Sequence, residues 1–215
     1  MNNIRLQDCL PNVFAAESAQ IQSGIWRNDI SFNRGEYSLV EAFSGSGKSS
    51  LCSYVYGWRK DYQGIISFDE KNINTYNNKD WTEIKRTQLS MMFQGLRLFP
   101  ELTARENVYL NNRLTKYKST KEIKILFERM GIADKIDEKS MYLSFGQQQR
   151  VALIRALCQP YSFLILDEPT SHLDAANTSI IGKIVLEEVK RQGAGLIVTS
   201  LGMSMDVDYQ NIYKL

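Results

Sequence analysis

Apolar positions along the chain follow two rhythms. Unbroken runs at Glu36 to Ala42, Gly64 to Phe68, Leu89 to Phe93, Phe163 to Leu166 and Gly195 to Thr199 read as buried strands. Between them, periodic spacing predicts helices from about Lys48 to Tyr56, Thr103 to Leu114, Ser119 to Met130, Gln147 to Cys158 and Ala175 to Arg191. Ser119 and Glu122 form a capping-box pattern, and Asp174 is placed to cap the last helix. Val151, Leu153, Ile154 and Leu157 share one side of the Gln147 to Cys158 helix. Fully apolar strands alternating with helices predict a mostly parallel sheet covered on both faces. Residues from about 95 to 158 read as a helical insert in this α/β pattern. Asn211 to Leu215 reads as a closing strand, with no regulatory domain expected beyond it.

Composition narrows the function without naming it. The chain has 215 residues, 43% of them hydrophobic and 23% charged, as expected of one sizeable globular domain. A net charge of +2 argues against a nucleic-acid binder, and Lys116, Lys118, Lys121, Lys124 and Arg129 are scattered among acids as on a solvated helix face. Cys9, Cys52 and Cys158 stand far apart, in no Cys-x-x-Cys pair, and read as packing thiols of a reducing compartment. No signal peptide is expected. No apolar run approaches the ~20 residues needed to span a bilayer, so any membrane role is expected to come through a partner.

Ser44-Gly45-Ser46-Gly47-Lys48-Ser49 lies between a buried strand and a helix, the setting of a phosphate-binding loop. Glycines let the backbone approach oxygens closely, and amides at the helix N-terminus complement their charge. The loop spans Ala42, Phe43, Ser44, Gly45, Ser46, Gly47, Lys48, Ser49 and Ser50, with Lys48 expected on the β- and γ-phosphates and the Ser49 hydroxyl on Mg²⁺. Ala42 stands where the full pattern has glycine, so the loop entry must use a conformation open to L-residues. Asp167 and Glu168 end the Phe163 to Leu166 run at the edge where ligands of open α/β sheets bind. Asp167 is a candidate for holding the metal through a water, and Glu168 for general base.

The segment Leu143 to Arg150 adds a serine and a glycine that open an amphipathic helix, which suggests a site completed by another chain. Together these residues resemble the nucleotide-binding subunit of an ABC transporter over nearly the whole chain. Ser44 to Ser49 is similar to the Walker A loop, and Gln94 with Leu98 to Thr103 and Glu106 to Val108 to the Q-loop and its following helix. Leu143 to Gln147 is similar to the signature motif, Leu166 to Ser171 to Walker B, and Ser171 to Asp174 to the D-loop. The Leu-Phe-Pro-x-Leu-Thr phrase most resembles compact bacterial subunits of the lipoprotein-release, macrolide-export and cell-division branches.

The resemblance implies a single domain over residues 1–215. It comprises a P-loop NTPase core with a mostly parallel sheet, an N-terminal antiparallel β part and a helical signature subdomain at about 95–158. It implies ATP and Mg²⁺ as ligands, with Ser49, Gln94 and Asp167 around the metal and Glu168, Lys48, Gln94 and Ser200 around the reaction. It implies a head-to-tail homodimer in which Ser144, Phe145, Gly146 and Gln147 cap the γ-phosphate held by a second copy. It further implies an integral membrane transporter subunit as partner, contacted near Gly95 to Thr103, and a cytoplasmic, peripheral location.

Three departures from the family pattern stand out. Phe145 replaces the signature's first glycine. Ser200 occupies the place of the switch histidine, which predicts slow hydrolysis. No adenine-stacking aromatic is evident, since Phe14 is read as a stray aromatic of a core strand and Trp26 as a packing residue; His172, in the D-loop, is read as an interface residue. Two readings therefore compete: an ATPase driving a membrane subunit, and an ATP-binding dimerisation and signalling module with weak hydrolysis. A soluble DNA-repair or translation ATPase fits poorly, because its coiled-coil insert or second cassette exceeds the chain.

Overall fold

The computed structural model describes residues 1–20, 22–43, 45–171, 173–202 and 204–215, without the side chains of residues 17–20, 175 and 176. In chain order, β1 (Asn3–Pro11) leads through a 3₁₀ stretch (Asn12–Gln20) to β2 (Asp29–Asn33), β3 (Tyr37–Glu41) and α1 (Lys48–Val55). Then come β4 (Tyr62–Phe68), β5 (Lys71–Asn72), α2 (Asn78–Thr87) and β6 (Leu89–Met92). Helices α3 (Ala104–Thr115), α4 (Thr120–Arg129) and α5 (Phe145–Leu157) precede β7 (Phe163–Asp167), α6 (Ala175–Gln192), β8 (Gly195–Ser200) and β9 (Asn211–Lys214).

Four of the five apolar runs, joined by β9, assemble as a five-stranded sheet of order β6-β7-β8-β3-β9 whose neighbouring strands all pair in parallel. The fifth run, Gly64 to Phe68, corrects the expectation of a buried strand: it forms part of β4, pairs antiparallel with β1 in a second sheet, and buries only Ile66 to Phe68 while Ile65 stays exposed. Apart from the edge strand β9, which buries no residue fully, the strands of the five-stranded sheet are buried on both sides because alternate residues serve two different cores. Leu39, Met92, Leu164, Leu166, Leu196 and Val198 join α3 to α6 in one cluster. Val40, Leu89, Met91, Phe163, Ile165 and Ile197 join α1 and the second sheet in the other. That second sheet, β2-β1-β4-β5, is antiparallel throughout, so the fold expected from the sequence is the fold observed.

The strands β1 and β2 and the helix α2 are absent from the periodicity reading. Along β1, inward Ile4 and Leu6 alternate with partly exposed Arg5 and Gln7, a half-buried pattern unlike the solid runs. Helix α2 buries no residue fully; Asn77 and Asp80 mark its start with a capping box, a sequence signal that was there to be read. Helix α5 corrects the expected Gln147 start. It begins at Phe145, because the Ser144 hydroxyl accepts from Gln147 N while the Gln147 side chain accepts from Ser144 N. The boxes at Thr103 and Ser119 open α3 and α4 the same way, and Asp174 caps α6 by accepting from Asn177 N.

Candidate functional site

Strand register brings distant residues to one sheet edge. Pairing of β7 with β8 sets Asp167 beside Thr199, and pairing of β3 with β8 sets Glu41 beside Ser200. One residue beyond β3, the Ala42 amide donates to the Ser200 carbonyl at 3.2 Å. Ala42 is not among the residues with positive φ, so the loop is entered in a conformation that alanine adopts without strain.

The loop then folds around a single carbonyl. Phe43 O accepts from Ser46 N at 3.3 Å, Ser46 Oγ at 2.8 Å and Lys48 Nζ at 3.2 Å. The Phe43 ring points away and is 87% exposed, so Phe43 acts through its backbone. Gly45 and Gly47 have φ of +87° and +99°, values open to glycine and strained for any side chain. Gly47 is doubly constrained. A Cβ there would stand 3.1 Å from both the Phe14 and Trp26 rings. Trp26 is therefore more than packing, because its indole N–H donates to Ser46 O at 3.1 Å and braces the loop from beneath. Phe14 is likewise not in a core strand; it lies half-buried in the 3₁₀ stretch against Gly47. Ser44, expected in the loop, and His172, expected in the D-loop, lie outside the described residues.

Lys48 opens α1 with its ammonium 3.6 Å from Glu168 Oε1. Lys48 and Glu168 are each only 6% exposed. Buried charges of this kind are tolerable only when paired. Asp167 is buried too, and its Oδ1 accepts from Thr199 Oγ1 at 2.7 Å. The same Thr199 hydroxyl accepts from Glu168 N at 3.3 Å, so one threonine aligns both acids. Thr199 was not singled out in the sequence; its place near the end of an apolar strand was the one local signal, and only the β7–β8 register sets it beside Asp167. Glu168 adopts a φ of +52°, a strained value of the kind that clusters at functional sites.

Ser49 Oγ donates to Gln94 Oε1 at 3.3 Å. A cleft of about 260 Å³ is lined by Gly45, Gly47, Lys48, Ser49, Ser50, Gln94, Glu168 and Leu201. An adjoining cavity of about 180 Å³ is lined by Glu168, Thr170, Ser171, Ser200 and Leu201. Ser200 thus sits beside Glu168 at the end of β8, with its hydroxyl accepting from Gly202 N at 3.2 Å. Ser50 lies at the cleft's edge, where its hydroxyl accepts from Arg59.

Beyond Gln94 the chain makes a double left-handed turn at Leu96 (φ +54°) and Arg97 (φ +52°). Arg155, from the last turn of α5, donates to both of their carbonyls. Burial lowers the Arg155 pKa to about 10, which leaves it charged at neutral pH. Buried Asn107 anchors the segment downstream: its Oδ1 accepts from Phe99 N, and its Nδ2 donates to the Phe99 and Leu102 carbonyls. Ser144, Phe145, Gly146 and Gln147 stand apart from the cleft. They form the N-terminal end of α5, where Phe145 is 45% exposed and lines a second cavity with Leu96, Leu98 and Met141.

All three cysteines are buried and free, and burial raises the thiols of Cys9 and Cys158 to about 11 and 12. They are packing residues with no nucleophilic readiness at neutral pH. Among the described residues, no helix is long and apolar enough to cross a membrane.

The family model described as ABC transporter matches residues 27–171. The lipoprotein-releasing system ATP-binding protein of Aquifex aeolicus is 35% identical over 176 residues, 80% of this chain and 77% of that protein. Its counterpart in Leptospira interrogans is 36% identical over 184 residues, 84% of this chain and 75% of that protein. Among solved structures, a bacterial ABC transporter cassette determined as a dimer superposes with a TM-score of 0.77 at 27% identity, covering 92% of this chain and 87% of that one.

Proposed function

Since the chain belongs to the ABC transporter family of ATPases, we propose that it is an ATP-binding subunit that hydrolyses Mg-ATP as a head-to-tail homodimer and drives a separate integral membrane subunit. The observation that carries this reading is the convergence of Lys48, Ser49, Gln94 and Glu168 on one cleft, with Asp167 aligned beside it by Thr199.

In this reading the glycine-lined loop and the α1 N-terminus cradle the β- and γ-phosphates, and Lys48 turns from Phe43 O and Glu168 to the phosphate oxygens. The Ser49 hydroxyl, the Gln94 amide oxygen and the Asp167 carboxylate are hard oxygen donors suited to Mg²⁺, and the Ser49–Gln94 bond already brings two of them together. When bound, the ion offsets charge on the phosphates. Glu168 accepts a proton from water as the water oxygen bonds to the γ-phosphorus and the bond to ADP breaks, leaving ADP and inorganic phosphate. Ser144, Gly146 and Gln147 serve the nucleotide of the second copy, with Phe145 an apolar contact at that interface.

The finer assignments extend to the whole chain. Residues 1–215 act as one domain, and about 95–158 form its helical arm. The segment from Gly95 to Thr103 faces the membrane subunit, which holds the protein at the inner face of the cell membrane. The lipoprotein-releasing relatives favour work with a membrane subunit over nucleic-acid work, in keeping with the net charge of +2.

Ser200 favours a second reading, a nucleotide-gated signalling module with weak turnover, because a serine at the histidine's place is shorter and uncharged. Steady-state phosphate release decides between them. Wild type is expected to hydrolyse Mg-ATP, and Glu168→Gln to lower kcat by about 10²–10⁴ while still binding nucleotide. Equal rates remove Glu168 as the base, and a wild type as inert as the variant leaves the signalling module.

A further inference from the structure

Glu168 holds a backbone conformation that side chains ordinarily avoid, with φ at +52°. It also precedes Pro169, whose ring narrows the choices of the residue before it. Such a conformation persists only where its surroundings over-determine it. The Glu168 amide donates to Thr199, and its carbonyl accepts from Ser171 Oγ at 3.3 Å and from Gln149 Nε2 at 3.1 Å. Ser171 belongs to the same turn, but Gln149 reaches across from α5.

Gln149 is a costly residue for packing alone. It is 2% exposed, and among the described residues its Oε1 has no hydrogen-bond partner. A buried orphan acceptor destabilises a fold, so an apolar side chain would serve the core better. Reversing the amide would set two oxygens against each other, which leaves Nε2 as the atom that meets the carbonyl. The bond that Gln149 does make ends on the backbone of the candidate base.

We infer that Gln149 is a positioning residue for hydrolysis: its side-chain amide, by holding the Glu168 carbonyl, keeps the Glu168 carboxylate aimed into the cleft beside Lys48. This rests on the reading of Glu168 as the base. Gln149 lies on the helix that Ser144 caps and whose far end, through Arg155, holds the carbonyls of Leu96 and Arg97. A displacement of α5 is thereby transmitted to Glu168 and to the segment after Gln94 together.

Gln149→Met removes both the donor and the orphan acceptor at similar length. Its thermal midpoint is expected at or above that of wild type and its KM for ATP within about twofold, with kcat lowered about 10- to 100-fold, the scale of a small misplacement of a reacting group. In a Glu168→Gln background the same change is expected to alter the single-turnover rate by less than about twofold, because the two residues act through one carboxylate. A wild-type kcat in Gln149→Met, or an equal loss in both backgrounds, overturns the inference. Gln149→Glu supplies a second arm. Its protonated carboxyl can donate to the carbonyl and its carboxylate cannot, so its rate relative to wild type is expected to rise as pH falls; a flat ratio also overturns it. Glu168→Gln turning over as fast as wild type is the separate outcome that removes the base reading itself.

Discussion

The cleft at the phosphate loop and the N-terminal end of α5 are two halves of one proposed site, yet they are built in opposite ways. In the cleft, Lys48, Asp167 and Glu168 are buried and paired within the chain: lysine with glutamate, aspartate with Thr199. At the α5 end, Ser144 is exposed, its hydroxyl caps its own helix, and the Phe145 ring is 45% exposed. Charge placed in a low-dielectric interior must be compensated before any ligand arrives, so the first half is pre-organised by the fold. A helix N-terminus in water needs only its cap. In the proposed function a second copy covers this half; the cassette that superposes on this chain was itself determined as a dimer.

The largest break of this comparison comes from Lys48→Ala. Wild type with Mg-ATP at 100-fold excess over Kd is expected to gain ~2.7 kcal/mol of stability, read as a thermal shift, and Lys48→Ala to gain none. An unaltered shift in the variant moves nucleotide binding out of the cleft. Ser200→His sharpens the same half, because a longer, titratable side chain beside Glu168 is expected to raise turnover about tenfold, measured as phosphate release. No gain removes Ser200 as the reason for slow hydrolysis. Ser144→Ala probes the other half with the smallest stability effect, a cap loss of about 1 kcal/mol by denaturant unfolding. Nucleotide affinity of the isolated subunit is expected to stay unchanged while turnover falls; weakened binding in the monomer breaks the separation of the two halves.

Much of this was legible in the chain because the signals are local. The solid apolar runs predicted the strands, Gly-Lys-Ser predicted the start of α1, and the capping box at Ser119 predicted α4, since each involves residues only a few positions apart. The strands β1 and β2 were not legible as runs, because a sheet packed on one side shows alternation that is easily lost among polar residues. The Q-loop was recognised at Gln94, but its left-handed turn falls on Leu96 and Arg97 and not on the neighbouring Gly95, so the glycine does not announce it. It is held instead by Arg155, 59 positions along the chain from Leu96. Trp26 was legible as apolar but not as the brace beneath Ser46, because the indole N–H finds its acceptor only after the N-terminal sheet docks on the loop.

The sequence by itself therefore determined the family, most of the order of α and β elements from β3 onward, the candidate phosphate loop and the identity of the acids at the end of β7. Those follow from spacing along the backbone and from side-chain chemistry that no packing alters. Tertiary structure decided how the acids are held: Thr199 set opposite Asp167 by β7–β8 register, Gln149 brought onto the Glu168 carbonyl by packing of α5, and Lys48 buried against Glu168. These contacts join residues far apart in the chain through hydrogen bonds a few ångströms long, and a sheet's register and a helix's seat on it are settled by the fit of the whole core.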